Sequence, residues 1–470
     1  MDRGDALLRA EGVGDGVGVG GRGLGFGAAL DVGPRAERAA PGLAESYDSK
    51  DGKVWTITLR PDLTFSDGTP FDAEAVAFNW ERAKDPVNRN SSAPTAMAMK
   101  WDVKDARTIE VTLPEADYQF PTLLYTTLGV IGSPTAIREK GPDFANAPVG
   151  AGPFTFVSWS RGTEMKLKRN DSYYDAPRPY LDELVLKTIP QEQQRFNALQ
   201  SGDIDLDATS SNDIVQQALD AGKSETHLTN LTGAGMRFSA RNGDVVDREV
   251  RETIAHALDT DAILEAVYSA DPAPRTFALQ GGKLFDDQAK LPEFDLAKAQ
   301  EVFDAYRQKT GKREVTVKYL TPAGVSQTTQ ESQMIKAQLE KVDGLKVELQ
   351  EAEIIAWTMQ IRQGAYEATL HTMGATFDPA MLYDRIHTKG GENGAGYSNP
   401  EVDAALDASR ATADPGEQIE HIKKAIRAYT ADIAAIPWTQ TVQYWFHNGD
   451  VGGVTPGYTY YPRPDLLWKG

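Results

Sequence analysis

The sequence predicts a mixed fold, α/β or α+β rather than all-β, and three observations lead there. Segments of alternating polarity recur between segments whose apolar residues stand three and four apart. The chain has 470 residues. One hydrophobic core usually stops growing near ~250, so two or three domains are expected. Hydrophobic residues make up 40% and charged residues 25%, the balance of a chain able to bury such cores in water.

The elements follow in order. Residues 1–40 hold 11 of the 42 glycines, mostly within Gly14–Gly27, and no apolar period survives there. G-x-G-x-x-G occurs at Gly16, Gly18, Gly21 and again at Gly18, Gly20, Gly23. With no strand before it and no helix after it, this overlap is what a glycine-dense run produces, not a dinucleotide fingerprint. The stretch reads as disordered or aberrant sequence that adds no strand, and it has neither the basic start nor the apolar run of a signal peptide.

Beyond Pro41 the pattern sharpens. Trp55, Ile57 and Leu59 alternate, which predicts a half-buried strand over 54–59. FSDGTPF at 65–71 is a turn, and Asp72 caps a helix that carries Val76 and Trp80 on one face. Further strands are expected at 108–113, 165–168, 184–189, 315–320 and 345–349. Helices are expected at 191–200, closed by Ser201-Gly202, after Asp247 with Val250, Ile254 and Leu258 in line, and around 332–341. Asn399-Pro400 starts another. Asp414 starts the last, whose stripe Ile419, Ile422, Ile426, Tyr429, Ile433 predicts a helix packed on one face until Pro437.

Composition removes several functions. A formal charge of −19 repels phosphate backbones, and no Lys/Arg cluster offsets it, so no nucleic-acid partner is expected. There is no cysteine, hence no disulfide, thiolate metal site or cysteine nucleophile. None of the six histidines lies in H-E-x-x-H or three or four residues from another, so no metal site and no cofactor is expected. His256 and His421 read as surface histidines. Asp203, Asp205 and Asp207 start like a calcium loop, but Ala208 and Ile214 replace its glycine and glutamate, leaving a turn that runs into a strand. No nucleophile elbow or P-loop is present. Aromatic residues crowd the C-terminal segment at Tyr444-Trp445-Phe446 and Tyr458, Tyr460, Tyr461. Such rings either grip a ligand or pack a core.

The punctuation then becomes specific. PGLAES at 41–46, WTITLR at 55–60 and FSDGTPFDAEAV at 65–76 come first. PVGAGPF at 148–154, LKRNDSYY at 167–174, LQSGDID at 199–205, VRETIAHALD at 250–259 and YSNPEVD at 397–403 follow in order. Together they resemble the family 5 extracellular solute-binding proteins, the peptide, nickel and opine receptors of ABC importers. The resemblance implies an α/β fold of the type II periplasmic-binding-protein kind: two lobes joined by a hinge, with an extra small inserted domain. It implies the extra domain at 41–150, one lobe at 150–255 with 440–470, and the other at 256–440.

It further implies capture of a peptide or peptide-like solute in a cleft and delivery to a membrane permease and its ATPase. The protein would be an extracytoplasmic monomer of the cell envelope that performs no catalysis. The ligand-lining residues implied are Met373, Thr376, Phe377, Asp378 and Tyr383, with Trp357, Trp438 and Trp445 beside them. Peptide receptors of the family often carry Trp-x-Ala-Asp, whose Asp pairs with the ligand's amino terminus; here Met373-Gly374-Ala375-Thr376 stands there, with Thr376 in place of that Asp. His371 invites the nickel alternative, but one histidine holds a metal weakly. Arg385 would pair with a ligand carboxylate or be a surface arginine. The rival readings are a hydrolase without a recognisable motif, or a non-binding remnant.

Overall fold

The computed structural model describes residues 7–11, 42–88, 93–124, 128–229, 233–268, 275–278, 281–324, 326–372, 379–439, 442–455 and 462–470. In chain order the strands are β1 (Leu7–Glu11), β2 (Ala44–Ser49), β3 (Val54–Leu59), β4 (Lys100–Val103), β5 (Thr108–Thr112) and β6 (Phe154–Ser160). Next come β7 (Glu164–Arg169), β8 (Glu183–Lys187), β9 (Leu206–Thr209), β10 (Ser224–Thr229), β11 (Ala234–Phe238) and β12 (Val315–Pro322). The rest are β13 (Leu345–Ala352), β14 (Ala368–Thr372), β15 (Ala435–Thr439), β16 (Val442–His447), β17 (Val451–Gly452) and β18 (Trp468–Lys469). They divide between two compact units, 1–228 with 442–470, and 229–441.

The first unit contains two larger sheets. β2-β3-β5-β4 is antiparallel and buries Trp55, Ile57, Leu59, Ile109 and Val111 against the helix Ala73–Lys84 through Val76 and Trp80. Asp72 caps that helix by accepting from the Ala75 amide at 2.9 Å, as its sequence position predicts. The second sheet has the order β10-β16-β9-β1-β8-β7-β6. β16 packs both of its faces, because alternation sends Trp445 into one core and Phe446 into another.

β1 corrects the expectation that residues 1–40 add no strand. It runs parallel to β8 along its whole length, and Ala10 stands opposite Leu206 of β9. Five residues are too few to show a period, while two flanking strands satisfy its backbone groups. Residues 12–41, which include the glycine run, lie outside the described residues.

The second unit is built on one sheet, β13-β12-β14-β11-β15. β12 is parallel to β13 and β14, and β11 is antiparallel to β14 and β15. One face, with Met236, Val317, Val347 and Ile436, packs on helices Arg248–Ala257, Leu296–Thr310 and Ser326–Leu339. Ala435 faces the other way, into a core with helices Met381–Ile386, Pro400–Ala411 and Pro415–Ala431. The first crossing between units, expected near 255, comes after Leu228 instead. The reason is pairing: β11 is an inner strand of the second sheet, and helix Arg248–Ala257 shares its core.

Two helix ends differ from expectation. Asp247 precedes its helix, but its side chain makes no capping bond and accepts instead from the Tyr306 hydroxyl at 3.2 Å. The last long helix stops at Ala431, so Ile433 falls outside its stripe, at φ 49°, and Pro437 lies inside β15. The chain is pinned just before: the Asp432 carbonyl accepts from the Arg251 guanidinium at 2.8 Å, and its carboxylate from the Tyr397 hydroxyl at 2.6 Å.

Candidate functional site

The topology of the second unit's sheet offers a candidate site. β12 and β14 run parallel with Leu320 opposite Thr369, so their carboxyl ends lie on the same side. β11 begins there, with Ala234 between Thr372 of β14 and Thr439, the last residue of β15. Ligands of open α/β sheets bind outside such carboxyl ends, where loops diverge and backbone groups are unpaired. The segment 373–378 leaves β14 at this end. Met373, Thr376, Phe377 and Asp378 themselves lie outside the described residues, as does the side chain of His371.

The other expected residues are placed as follows. Trp357 is half-buried on helix Ile354–Gln363; its indole N–H donates to Thr369 Oγ1 at 3.2 Å, and that hydroxyl donates to Leu320 O at 2.8 Å. Trp357 is thereby fixed to two strands of the sheet. The helix follows β13 directly and leaves Ile354 and Ile355 52% and 70% exposed, an apolar pair beyond the carboxyl end of that strand. Tyr383 stacks on His387, with ring centroids 4.1 Å apart, and the Arg410 guanidinium covers its ring at 3.9 Å. Trp438 and Trp445 are 4% and 0% exposed inside their cores. Packing, the other role open to them from sequence, accounts for both. Arg385 places its Nε 3.3 Å from Glu392 Oε2, an ion pair rather than a cation awaiting a ligand carboxylate.

A residue not singled out by sequence is buried in the same unit. Glu331, in the second turn of helix Ser326–Leu339, is 1% exposed. Its Oε1 accepts from the Tyr268 hydroxyl at 2.9 Å and from the Trp438 indole at 2.8 Å. Burial pushes its carboxyl up to about 7, and the two donated bonds oppose that shift. The signal was present: Glu331, Ile335 and Leu339 follow at i, i+4, i+8, and the latter two are fully buried, so the carboxyl group heads an apolar stripe.

Among the described residues no group of three His, Asp or Glu side chains is arranged to hold an ion. His387 comes nearest, with Nε2 3.4 Å from Asp407 and 3.7 Å from Asp403. Its Nδ1 accepts from the Lys389 amide at 2.9 Å, which places the proton on Nε2 and removes the lone pair a metal would need. The aspartates of 203–207 serve as internal partners: Asp205 pairs with Lys469 at 2.7 Å and Asp207 with Arg195 at 3.2 Å.

Residues 38–394 match the family model described as bacterial extracellular solute-binding proteins, family 5 Middle. The chain belongs to this family. Its fold is that of the type II periplasmic binding proteins. Its role is that of the solute-binding component of an ABC importer. Among curated relatives, the glutathione-binding protein GsiB of Pectobacterium atrosepticum is 26% identical over 424 residues, 84% of this chain and 78% of the relative. The oligopeptide-binding protein OppA of Bacillus subtilis is 23% identical over 455 residues, covering 88% and 82% of the two chains. These family relatives are binding proteins rather than enzymes. Among solved structures, AgaA of A. tumefaciens R10 in complex with agropinic acid superposes with a TM-score of 0.86 at 23% identity over 99% of both chains. DppA of Helicobacter pylori with the peptide STSA gives 0.86 at 22% identity, over 99% and 98%. Family members are periplasmic or extracellular proteins.

Proposed function

We propose that this protein captures peptides or peptide-like solutes outside the cytoplasm and hands them to the permease and ATPase of its importer, acting as a monomer and breaking no bond. The observation that carries the reading is the family match over residues 38–394, with glutathione- and oligopeptide-binding proteins among the relatives. The carboxyl end of the second unit's sheet supports it. Strand ends there offer backbone groups to an extended ligand, and Ile354 and Ile355 offer apolar surface to its side chains. Residues 373–378, Trp357 and Tyr383 are the proposed ligand contacts. Thr376 stands where the resemblance puts a carboxylate for the ligand's amino terminus, so backbone and apolar contacts carry more of the affinity.

Mass spectrometry of solutes released from the purified protein tests the reading. It should find peptides, and calorimetry with tri- to hexapeptides and with glutathione should then rank them. Release of only sugars or metal complexes, with no heat from any peptide, would refute it. Thr376→Asp should improve affinity for peptides with a free amino terminus over the same peptides acetylated.

A further inference from the structure

The first unit has a carboxyl end of its own. β1 runs parallel to β8 and to β9, so these strands end on one side of the seven-stranded sheet. Thr209, the last residue of β9, stands opposite Tyr444 of β16, and β10 flanks β16 on its other side as the edge strand. From β10, His227 sets its ring against Tyr444, with centroids 5.4 Å apart. Tyr444 in turn stacks on Phe446, at 5.8 Å and 7°. Phe446 is 1% exposed in its core, whereas the His227 side chain is 50% exposed. The ladder of three rings is therefore anchored at one end and open at the other, beside the end of β9.

Glu225 orients the open end. Alternation along β10 puts it on the same face as His227, and its Oε2 lies 3.1 Å from His227 Nδ1. A carboxylate only accepts, so the hydrogen of that bond sits on Nδ1, and in the neutral ring the lone pair is on Nε2. Among the described residues neither Nε2 nor the Tyr444 hydroxyl has a hydrogen-bond partner. The charges at this end of the sheet are negative: Asp213, in the first turn of helix Asn212–Asp220 that follows β9, adds to Glu225. The nearby cations are already engaged. Arg195 pairs with Asp207, Lys187 at the end of β8 donates to Asp203 O, and Lys223 before β10 reaches Leu199 O and Asn448. An exposed pair such as Glu225 and His227 contributes little to stability, so holding the fold does not account for it.

We propose that Glu225, His227 and Tyr444 form a receptor for a primary ammonium group. Nε2 of His227 accepts one of its hydrogens, the Tyr444 ring lies beside it, and the Glu225 charge compensates its own. That the ammonium belongs to a peptide rests on the function proposed above. It is then the amino terminus or a lysine side chain, and the set supplies a negative partner that Thr376 does not.

The test labels the histidines of the full chain with 13C, dialyses away bound solute, and follows the His227 ring signal, assigned by its absence in His227→Gln. Three probes are added in turn: leucinamide, with an α-ammonium; Nα-acetyl-lysinamide, with only the side-chain ammonium; and N-acetyl-leucinamide, which is neutral. One or both ammonium probes should move the signal, and which one does so tells the amino terminus from lysine. The neutral amide should leave it still. Glu225→Gln, which keeps the ring contact and loses the charge, should weaken binding of the active probe about tenfold. A signal that no ammonium probe moves, one that the neutral amide moves equally, or an affinity unchanged in E225Q would overturn the receptor. Movement of His227 with no heat from any peptide would refute the peptide reading and leave the receptor standing; peptide binding with His227 still would do the reverse.

Discussion

Gly235 lies against Ile436 so closely that a Cβ at position 235 would stand 2.1 Å from the Ile436 carbonyl oxygen. β11 and β15 pair here with a shift in register beside Ala234, and the backbone of Ile436 cannot yield without disturbing Trp438, two residues on. Gly235→Ala should therefore cost ~2 kcal/mol or more, a typical penalty for overpacking a well-filled site. Gly281→Ala, at φ 78° but in open space, should cost only ~1 kcal/mol. Urea unfolding of both variants checks the difference, and equal losses would show that the close approach relaxes.

Arg195 and Asp207 form a pair whose side chains are 10% and 1% exposed. Arg195→Met leaves a buried carboxylate short of its cation and should cost ~3–5 kcal/mol. Removing Lys298 from its exposed partner Glu301 should change stability by less than ~1 kcal/mol. Chemical denaturation of the two variants provides the comparison.

Stability should depend on pH through Glu331. Its folded carboxyl titrates near 7, raised from 4.5. The folded protein thus binds more protons than the unfolded one between those values, and its stability falls as pH rises through that window. The full change is on the order of 3 kcal/mol. E331Q should match wild type near pH 5 and exceed it near pH 8; calorimetric unfolding across that range would show parallel curves if the group stays ionised.

The two tryptophan environments should separate by mutation. Trp445→Ala empties a fully buried site and should cost ~3–5 kcal/mol. Trp357→Ala, at a half-buried position, should cost less stability but weaken binding of any peptide identified by mass spectrometry. Paired melting and calorimetry distinguish these effects, and a stability loss at Trp357 as large as that at Trp445 would place it in the core instead.

The pairing of β1 makes a prediction about the first residues of the chain. Arg9→Pro removes an amide from the middle of an inner strand, where proline is not tolerated, and should lower the melting temperature. Truncation before Ala10 should do the same. An unchanged melting curve in both would return Leu7–Glu11 to the reading first made from sequence.

What could be read from sequence was local. The alternation of Trp55, Ile57 and Leu59 became β3, and Asn399 and Asp414 cap their helices as their spacing implies. Caps and short alternations depend on neighbours a few residues away. Glu331 was missed because it sits among Ser326–Ser332, a polar run, and its burial comes from Tyr268 and Trp438, 63 and 107 residues distant. Trp438 and Trp445 were ambiguous for the same reason: a ring's surroundings are set by other segments. The ordered motifs from 41 to 403 carried the family, since their succession reflects a whole chain rather than one element.

The return of the chain at Val442 has a consequence for synthesis. β9 needs β16, residues 206–209 against 444–447, and the first unit's sheet is incomplete until the final thirty or so residues emerge. A ribosome delivers the whole of 229–441 before that closing strand exists. The intervening unit has every strand of its own sheet by residue 439 and can mature first, while its companion waits with open edges. During that interval β9 keeps one edge open, because the strand that covers it is made last.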